Sequence, residues 1–281
     1  MAEHDHPSLK DLVQTRFNEP PEGALPDGPA NTVHAQLLRH RVHRRYKETP
    51  VQPELLNLLL ACALSAPAKS DLQQVAIINF ADPDKRAAVT DLIPDMPWIK
   101  QAPVFLLFCG DGRRIRRIAD LRGTTFAHEP LDAFMNAACD AAIVMQNFIV
   151  AAEAAGLGCC PISAVREATD DIVALAQLPD GVFPFAGLCV GYPADEPWVS
   201  VRLPMRVTVH TDHYDDSNLE SELASYDARR DAVNPHLKQR DPARFGEVDD
   251  YGWSHDKARQ TANTDRLSFA AYIKRSGYDI S

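Results

Sequence analysis

No two cysteines in this 281-residue chain have the paired C-x-x-C spacing of a zinc site. The six that are present, Cys62, Cys109, Cys139, Cys159, Cys160 and Cys189, all lie in apolar runs and read as buried, reduced thiols. Adjacent Cys159 and Cys160 leave a redox pair as the alternative, but no neighbour in sequence would lower a thiol pKa there. The ten histidines are scattered, and none meets a second ligand at helical spacing, so no metal site is assigned. Also missing are the Gly-x-Gly-x-x-Gly and P-loop fingerprints, the Gly-x-Ser-x-Gly elbow and the His-Glu-x-x-His motif. Basic excess is absent too. Lys plus Arg number 29 against 39 Asp plus Glu, a net charge of −10, so neither nucleic acid nor an anionic membrane is expected as a partner. The chain opens Met-Ala-Glu-His-Asp-His, without the apolar core of a signal peptide, and a cytoplasmic location is expected.

What is present centres on residues 131–155. Fifteen of them, from Phe134 to Ala152, are apolar, and only Asp132, Asp140 and Glu153 carry charge. A surface helix has one apolar stripe, so a helix apolar nearly all round is expected to be buried. Asn136, Asp140, Gln146 and Asn147 would lie at mid-depth in a bilayer, which argues against a membrane span. Gly156 is placed to end the helix, and Gly156-Leu157-Gly158 turns the chain into a short strand at 159–163. Further short apolar runs at 75–80, 103–109 and 183–191 read as buried strands. Helices are expected at 53–65, with Pro at the first turn, and at 83–92, 167–177, 219–233 and 254–276. Strands separated by helices predict an α+β fold, a mixed sheet with helices on both faces. Residues 1–30, rich in Pro, Asp and Glu, read as a weakly ordered extension in which 8–17 forms a short amphipathic helix. Residues 31–281 read as a single domain.

A helix capped by Asn31 or Thr32 is expected to run into the basic block His40-Arg41-Val42-His43-Arg44-Arg45-Tyr46. Two readings are open for this block: a solvated basic face, or a phosphate clamp in which Arg41 and Arg44, three apart, share a helical face. The loop 66–73, between a helix and a strand, is a second place where polar groups could hold a ligand.

Three separated pieces, the basic block, the apolar helix with its Gly156-Leu157-Gly158 exit, and Gly187-Leu188-Cys189-Val190-Gly191-Tyr192-Pro193, together resemble the flavin-dependent nitroreductases. The chain is most similar to the NADPH-type branch of oxygen-insensitive nitroreductases and flavin reductases, over residues 37–277. The resemblance implies an intertwined homodimer with a C-terminal segment that embraces the partner. It also implies FMN bound between subunits and a ping-pong transfer of hydride from NADPH or NADH through flavin N5 to a nitroaromatic, quinone or flavin acceptor. Matched by position, His40, Arg41, Val42 and Arg44 fall on the family's first FMN segment, Lys69 and Gln73 on the loop that contacts the flavin, and Pro161, Ile162, Ser163 and Ala164 on the segment whose backbone faces N5 and O4. Arg202 falls on a phosphate-binding arginine, and Arg244 near an arginine for the NADPH 2′-phosphate. The chain departs from the family pattern at Val42, Ala68, Lys69, Asp71, Met96, Pro161, Ser163, Ala164 and Ser200. Those departures keep a second reading open, a non-catalytic flavin- or nucleotide-binding member of the same fold.

Overall fold

A computed structural model describes residues 8–22, 25, 32–263 and 266–278. The elements in order are α1 (Leu9–Phe17), α2 (Thr32–Arg39), α3 (Pro53–Leu64), β1 (Val75–Asn79), α4 (Pro83–Leu92), α5 (Trp98–Gln101), β2 (Val104–Asp111), α6 (Arg113–Arg122), α7 (Pro130–Ala154), β3 (Gly158–Ile162), α8 (Thr169–Ala176), β4 (Val182–Gly191), α9 (Met205–Thr208), α10 (Leu219–Val233), α11 (Pro242–Phe245), α12 (Trp253–Thr261) and α13 (Leu267–Arg275). The expected helix at 8–17 is α1, and Ser8 and Asp11 close a capping box at its start. The remainder of the N-terminal reading, on residues 1–7, 23–24 and 26–31, lies outside the described residues. The chain groups into two compact units, Arg41–Pro197 with Asp265–Ser281, and Met1–His40 with Trp198–Thr264.

In the first unit the strands form one sheet in the order β1-β2-β4-β3. Every pairing among the described residues is antiparallel, where a mixed sheet was expected. The helices between strands do not force parallel pairing. A helical connection that returns to the sheet at the end it left gives an antiparallel neighbour, and only one that crosses to the opposite end gives a parallel one. β2 is buried along its whole length, as a central strand covered on both faces should be. One face meets α3 and α7 through Leu59, Ala63, Leu106, Phe108, Val144 and Phe148. The other carries Phe105, Leu107, Cys189, Ile162 and Ile172.

α7 is the expected long helix, and it is long and apolar enough to cross a membrane by length and composition. Its burial is one-sided, however. Ala133, Ala137, Asp140, Ala141, Val144, Phe148 and Ala152 face the sheet, while Leu131, Met135, Cys139 and Ile143, spaced four apart, are exposed. The expectation of burial all round is thus corrected: this chain alone covers one face. Gly156, at φ 76°, closes the helix with Leu157 N–H donating to Ala152 O at 2.9 Å, a left-handed turn that glycine takes without strain.

The cysteine reading needs one correction. Cys62 and Cys139 are exposed, because they stand on the open faces of α3 and α7. Cys159 packs in one core cluster and Cys160 in the other. Neighbours on a strand point to opposite faces, so the two thiols do not meet as a redox pair.

In the second unit, the C-terminal helix expected at 254–276 is instead broken: α12 ends at Thr261, and α13, in the first unit, starts after Arg266 at φ 58°. Ser254 lies inside α12, whose N-cap is Gly252, and its hydroxyl and N–H both bond Asp227 of α10. Asp256 is buried and accepts from Tyr251 Oη at 3.1 Å, Arg240 Nε at 3.2 Å and Lys257 Nζ at 2.8 Å. Burial alone would raise its pKa, but the Lys257 and Arg240 cations outweigh it and bring it down to about 2.

Two predictions follow from this packing. A Cβ at Gly158 would sit 2.6 Å from the His43 ring. Gly158→Ala should therefore destabilise the fold by about 1–3 kcal/mol, read as a shift in the urea unfolding midpoint. Because the folded pKa of Asp256 is depressed, its stabilisation is present above the unfolded carboxylate value of about 4 and is lost as pH falls through about 2. Wild-type stability should thus fall more steeply than that of Asp256→Asn across this window; parallel curves would remove the ion pair as the cause.

Candidate functional site

The basic block does not continue α2 as a helix. After Arg39 the chain extends, and this segment lies along the free edge of β3. His43 N–H donates to Cys159 O at 3.0 Å, Lys47 N–H to Tyr192 O at 2.9 Å, and Tyr46 bridges Pro193. The sheet edge thus outcompetes helix propagation for these backbone donors. The expectation that Arg41 and Arg44 share a helical face is corrected accordingly, since an extended segment sends side chains to alternate sides. Arg41 donates to Glu196 Oε1 at 2.6 Å and Pro197 O at 3.2 Å. Val42 and Tyr46 point the other way into the core cluster around Phe105 and Cys160.

Arg44 lies on that same side, with its guanidinium 5.6 Å from the centre of the Trp98 ring. Both groups bear on Cys160. Burial pushes the thiol pKa up, and Arg44 and the Trp98 N–H act against it. His43, buried under Gly158, has its pKa lowered by burial first and then by the Arg41 charge. Further along, exposed Pro161 and Ser163 alternate with buried Ile162 and Ala164 as β3 ends at Ile162. Ser163 Oγ accepts from Arg266 Nη2 at 3.3 Å. Met96 is part-buried against the same cluster as Val42.

The loop 66–74 stands at the other edge of the sheet, before β1. Ser70, Asp71 and Gln73 all have left-handed φ, at 50°, 57° and 52°, which costs about 1–3 kcal/mol for each such non-glycine residue. The surroundings hold it there. Asp140, 1 % exposed in the middle of α7, accepts Lys69 N–H at 3.0 Å on one oxygen and Gln74 N–H at 2.9 Å on the other. Arg114 donates to Gln73 O at 2.6 Å and Val75 O at 3.0 Å while paired with Asp111 at 2.7 Å. Gln73 Nε2 bonds Asp71 Oδ1 at 3.0 Å. The loop forms one wall of a cavity of about 800 Å³ shared with Leu60, Ile77, Ile118 and Val144.

The loop and the basic segment stand at diagonally opposite corners of the sheet. Val75 is level with Phe183 across β2, whereas the partner of His43, Cys159, is level with Val190. Seven residues of rise and four strand spacings separate them by about 30 Å. A single chain therefore does not bring Gln73 and Lys69 together with Arg41 and Arg44.

His40 and Arg202 belong to the second unit. His40 O accepts Arg16 Nη2 at 2.6 Å, and Arg202 N–H donates to Arg16 O at 2.9 Å. The Arg202 side chain donates to Ser200 O at 3.3 Å and to the Ser200 hydroxyl. Arg244, in α11, is engaged with Asn263 Oδ1 at 2.6 Å and with the face of Phe245. Asp140, Arg114 and Arg16 escaped the sequence reading as structural partners of these segments. A lone carboxylate at the centre of an apolar helix was a signal for Asp140; nothing in the sequence singles out Arg16 or Arg114.

The sequence model of the Nitroreductase family matches residues 37–192, and that of the Nitroreductase family C-terminal domain matches residues 200–281. The chain is 36 % identical over 200 residues to the FMN reductase [NAD(P)H] of Bacillus subtilis, covering 70 % of this chain and 80 % of that protein. Among solved structures it resembles NfrA2 of Bacillus megaterium, with a TM-score of 0.81 and 30 % identity over 90 % of this chain and 100 % of that one. It also resembles the NADPH:FMN oxidoreductase of Vibrio harveyi complexed with NAD+, with a TM-score of 0.76 and 27 % identity over 88 % and 98 %. With the α+β fold of its structural relatives and with matches spanning most of its length, the chain belongs to the nitroreductase family.

Proposed function

We propose that this protein is an FMN-dependent NAD(P)H oxidoreductase, cytoplasmic and working as a homodimer on nitroaromatic, quinone or flavin acceptors. What carries the reading is that a chain 36 % identical to an FMN reductase has guanidinium and loop donors at the positions that the resemblance assigns to FMN. The donor chemistry fits a flavin nucleotide. Arg41 and Arg202 are forks that match phosphate oxygens. Arg41 is held in place by Glu196, which is itself 83 % exposed, so an incoming phosphate can replace that carboxylate at little cost. Val42 offers no hydroxyl, but its side chain is committed to the core.

When bound, FMN supplies the hydride relay between a reduced nicotinamide and the acceptor, in ping-pong order. The chain's own residues do the rest. Arg41, His40 and Arg202 bind the phosphate and ribityl end. Arg44, braced on Trp98, would offer the ring a cation where negative charge develops on reduction. Lys69 and Gln73, on the preset loop, and the 161–164 segment would hold the ring, Pro161 offering a carbonyl but no N–H. Arg244 receives the 2′-phosphate of NADPH.

The dimer reading draws on two facts of geometry. The two groups of flavin residues in the first unit lie about 30 Å apart by strand rise and spacing, so a second copy is needed to bring a loop to a basic segment. The exposed apolar stripe of α7 and the exposed Leu58 and Leu64 of α3 give that second copy a surface to cover. In this reading a C-terminal segment embraces the partner, and residues 1–30 are an extension of the domain.

The reading is tested by the absorbance spectrum of purified protein, before and after anaerobic addition of NADH and NADPH. A flavin spectrum bleached by either donor is expected; a colourless protein that takes up no added FMN would sink the proposal. Arg202→Ala should weaken FMN binding about 10–100-fold, the worth of a charge-assisted phosphate contact, and leave hydride transfer in saturated enzyme nearly unchanged. Unchanged FMN affinity would remove Arg202 from the phosphate site. Arg244→Ala should raise KM for NADPH about tenfold and leave that for NADH alone. Equal effects on both donors would discard its role.

A further inference from the structure

Arg16 stands in α1, ahead of both stretches matched by the family models. It is 5 % exposed, a costly place for a guanidinium unless its donors are met. Three backbone carbonyls take three of its five N–H groups. Nε donates to Leu38 O at 2.9 Å, Nη1 to Ser200 O at 3.0 Å and Nη2 to His40 O at 2.6 Å. The Arg16 carbonyl in turn accepts Arg202 N–H at 2.9 Å. One residue therefore bonds the exit of α2, which carries His40, to the segment that carries Arg202. Because the bonds run to main chain, they fix where the two side chains begin.

The brace is itself anchored. Asn18 Nδ2 donates to Arg229 O at 2.8 Å, and Glu19 is paired with Arg229 and, at 3.1 Å, with Arg206. Arg206 also holds Glu22 at 2.5 Å and Glu222 at 2.6 Å. Tyr226 Oη, from α10, donates to Val201 O at 3.0 Å on the segment that Arg16 holds. His40 and Ser200 to Arg202 lie outside any helix or strand, and such backbone, where nothing holds it, must be ordered at the moment a ligand binds.

We propose that Arg16 is a positioning residue for the phosphate end of the FMN site. It pre-orders the 38–40 and 200–202 segments so that His40 and Arg202 are already placed when the nucleotide arrives. The inference rests on the assignment of His40 and Arg202 made above. The role suits arginine and not lysine: a planar fork with five N–H donors serves three carbonyls at once, and a single ammonium does not.

FMN titration of wild type, Arg16→Ala and Arg16→Lys, paired with amide hydrogen exchange of the apoproteins, tests it. Arg16→Ala should raise the Kd for FMN about tenfold or more. It should speed exchange at 38–40 and 200–203, with α7 amides unchanged and the acceptor KM unchanged at saturating FMN. Arg16→Lys should recover part of the affinity. If Arg16→Ala does not fold, Arg16→Lys carries the test alone, with a Kd rise of about threefold and the same local exchange pattern. A Kd within about twofold of wild type in the folded variants overturns the inference, and so does faster exchange spread evenly over the chain. Wild-type protein that binds no FMN is a separate failure, because it overturns the functional reading on which the inference stands.

Discussion

The antiparallel pairing of β2 with β4 is the constraint from which the first unit follows. Both strands are buried almost end to end, so both faces must be covered, by α3 and α7 on one side and by α8 and the loops around Val165 on the other. That leaves β1 and β3 as the edges, and the residues with chemistry to offer sit there. Edges have unpaired backbone groups that ask for partners. At β3 the basic segment supplies them, and at β1 Arg114 caps the carbonyl of Val75.

The two edges are made ready in different ways. The basic segment owes its course to sheet pairing and to a glycine, Gly158, that leaves room for His43. The loop before β1 is held against its own backbone preference by one buried carboxylate, Asp140, whose two oxygens take N–H groups at either end of the strained turn. Replacing water by fixed donors and acceptors in this way spares a ligand the cost of ordering the loop. In the second unit, Arg16 does for the His40 and Arg202 backbones what Asp140 does for Lys69 and Gln74.

Much of this was legible in the sequence. The helices at 53–64, 83–92 and 219–233 and all four strands lie within a residue or two of where Pro, Asp and the apolar runs put them. The basic block was recognisable, but its conformation was not, because whether a donor bonds within a helix or to a strand edge depends on which edge is near. The apolar sweep of α7 read as full burial because composition cannot distinguish a covering core from a covering partner. Cys159 and Cys160 read as buried thiols, and strand geometry sends the two to opposite faces. Asp140 and Arg16 act on backbone atoms distant in sequence, and no local pattern encodes such a contact.

The central claim is that the flavin site is completed by two copies of the chain, one giving Arg41 and the other giving Gln73. Mixed dimers test it most directly. Arg41→Ala and Gln73→Ala, each impaired alone, would be unfolded together, refolded with FMN and assayed with NADPH. If the site is shared, random reassortment makes half the dimers mixed, each with one intact site, and about a quarter of wild-type activity should return. Activity that stays at the level of the separate variants would contradict the account and place the whole site within one chain.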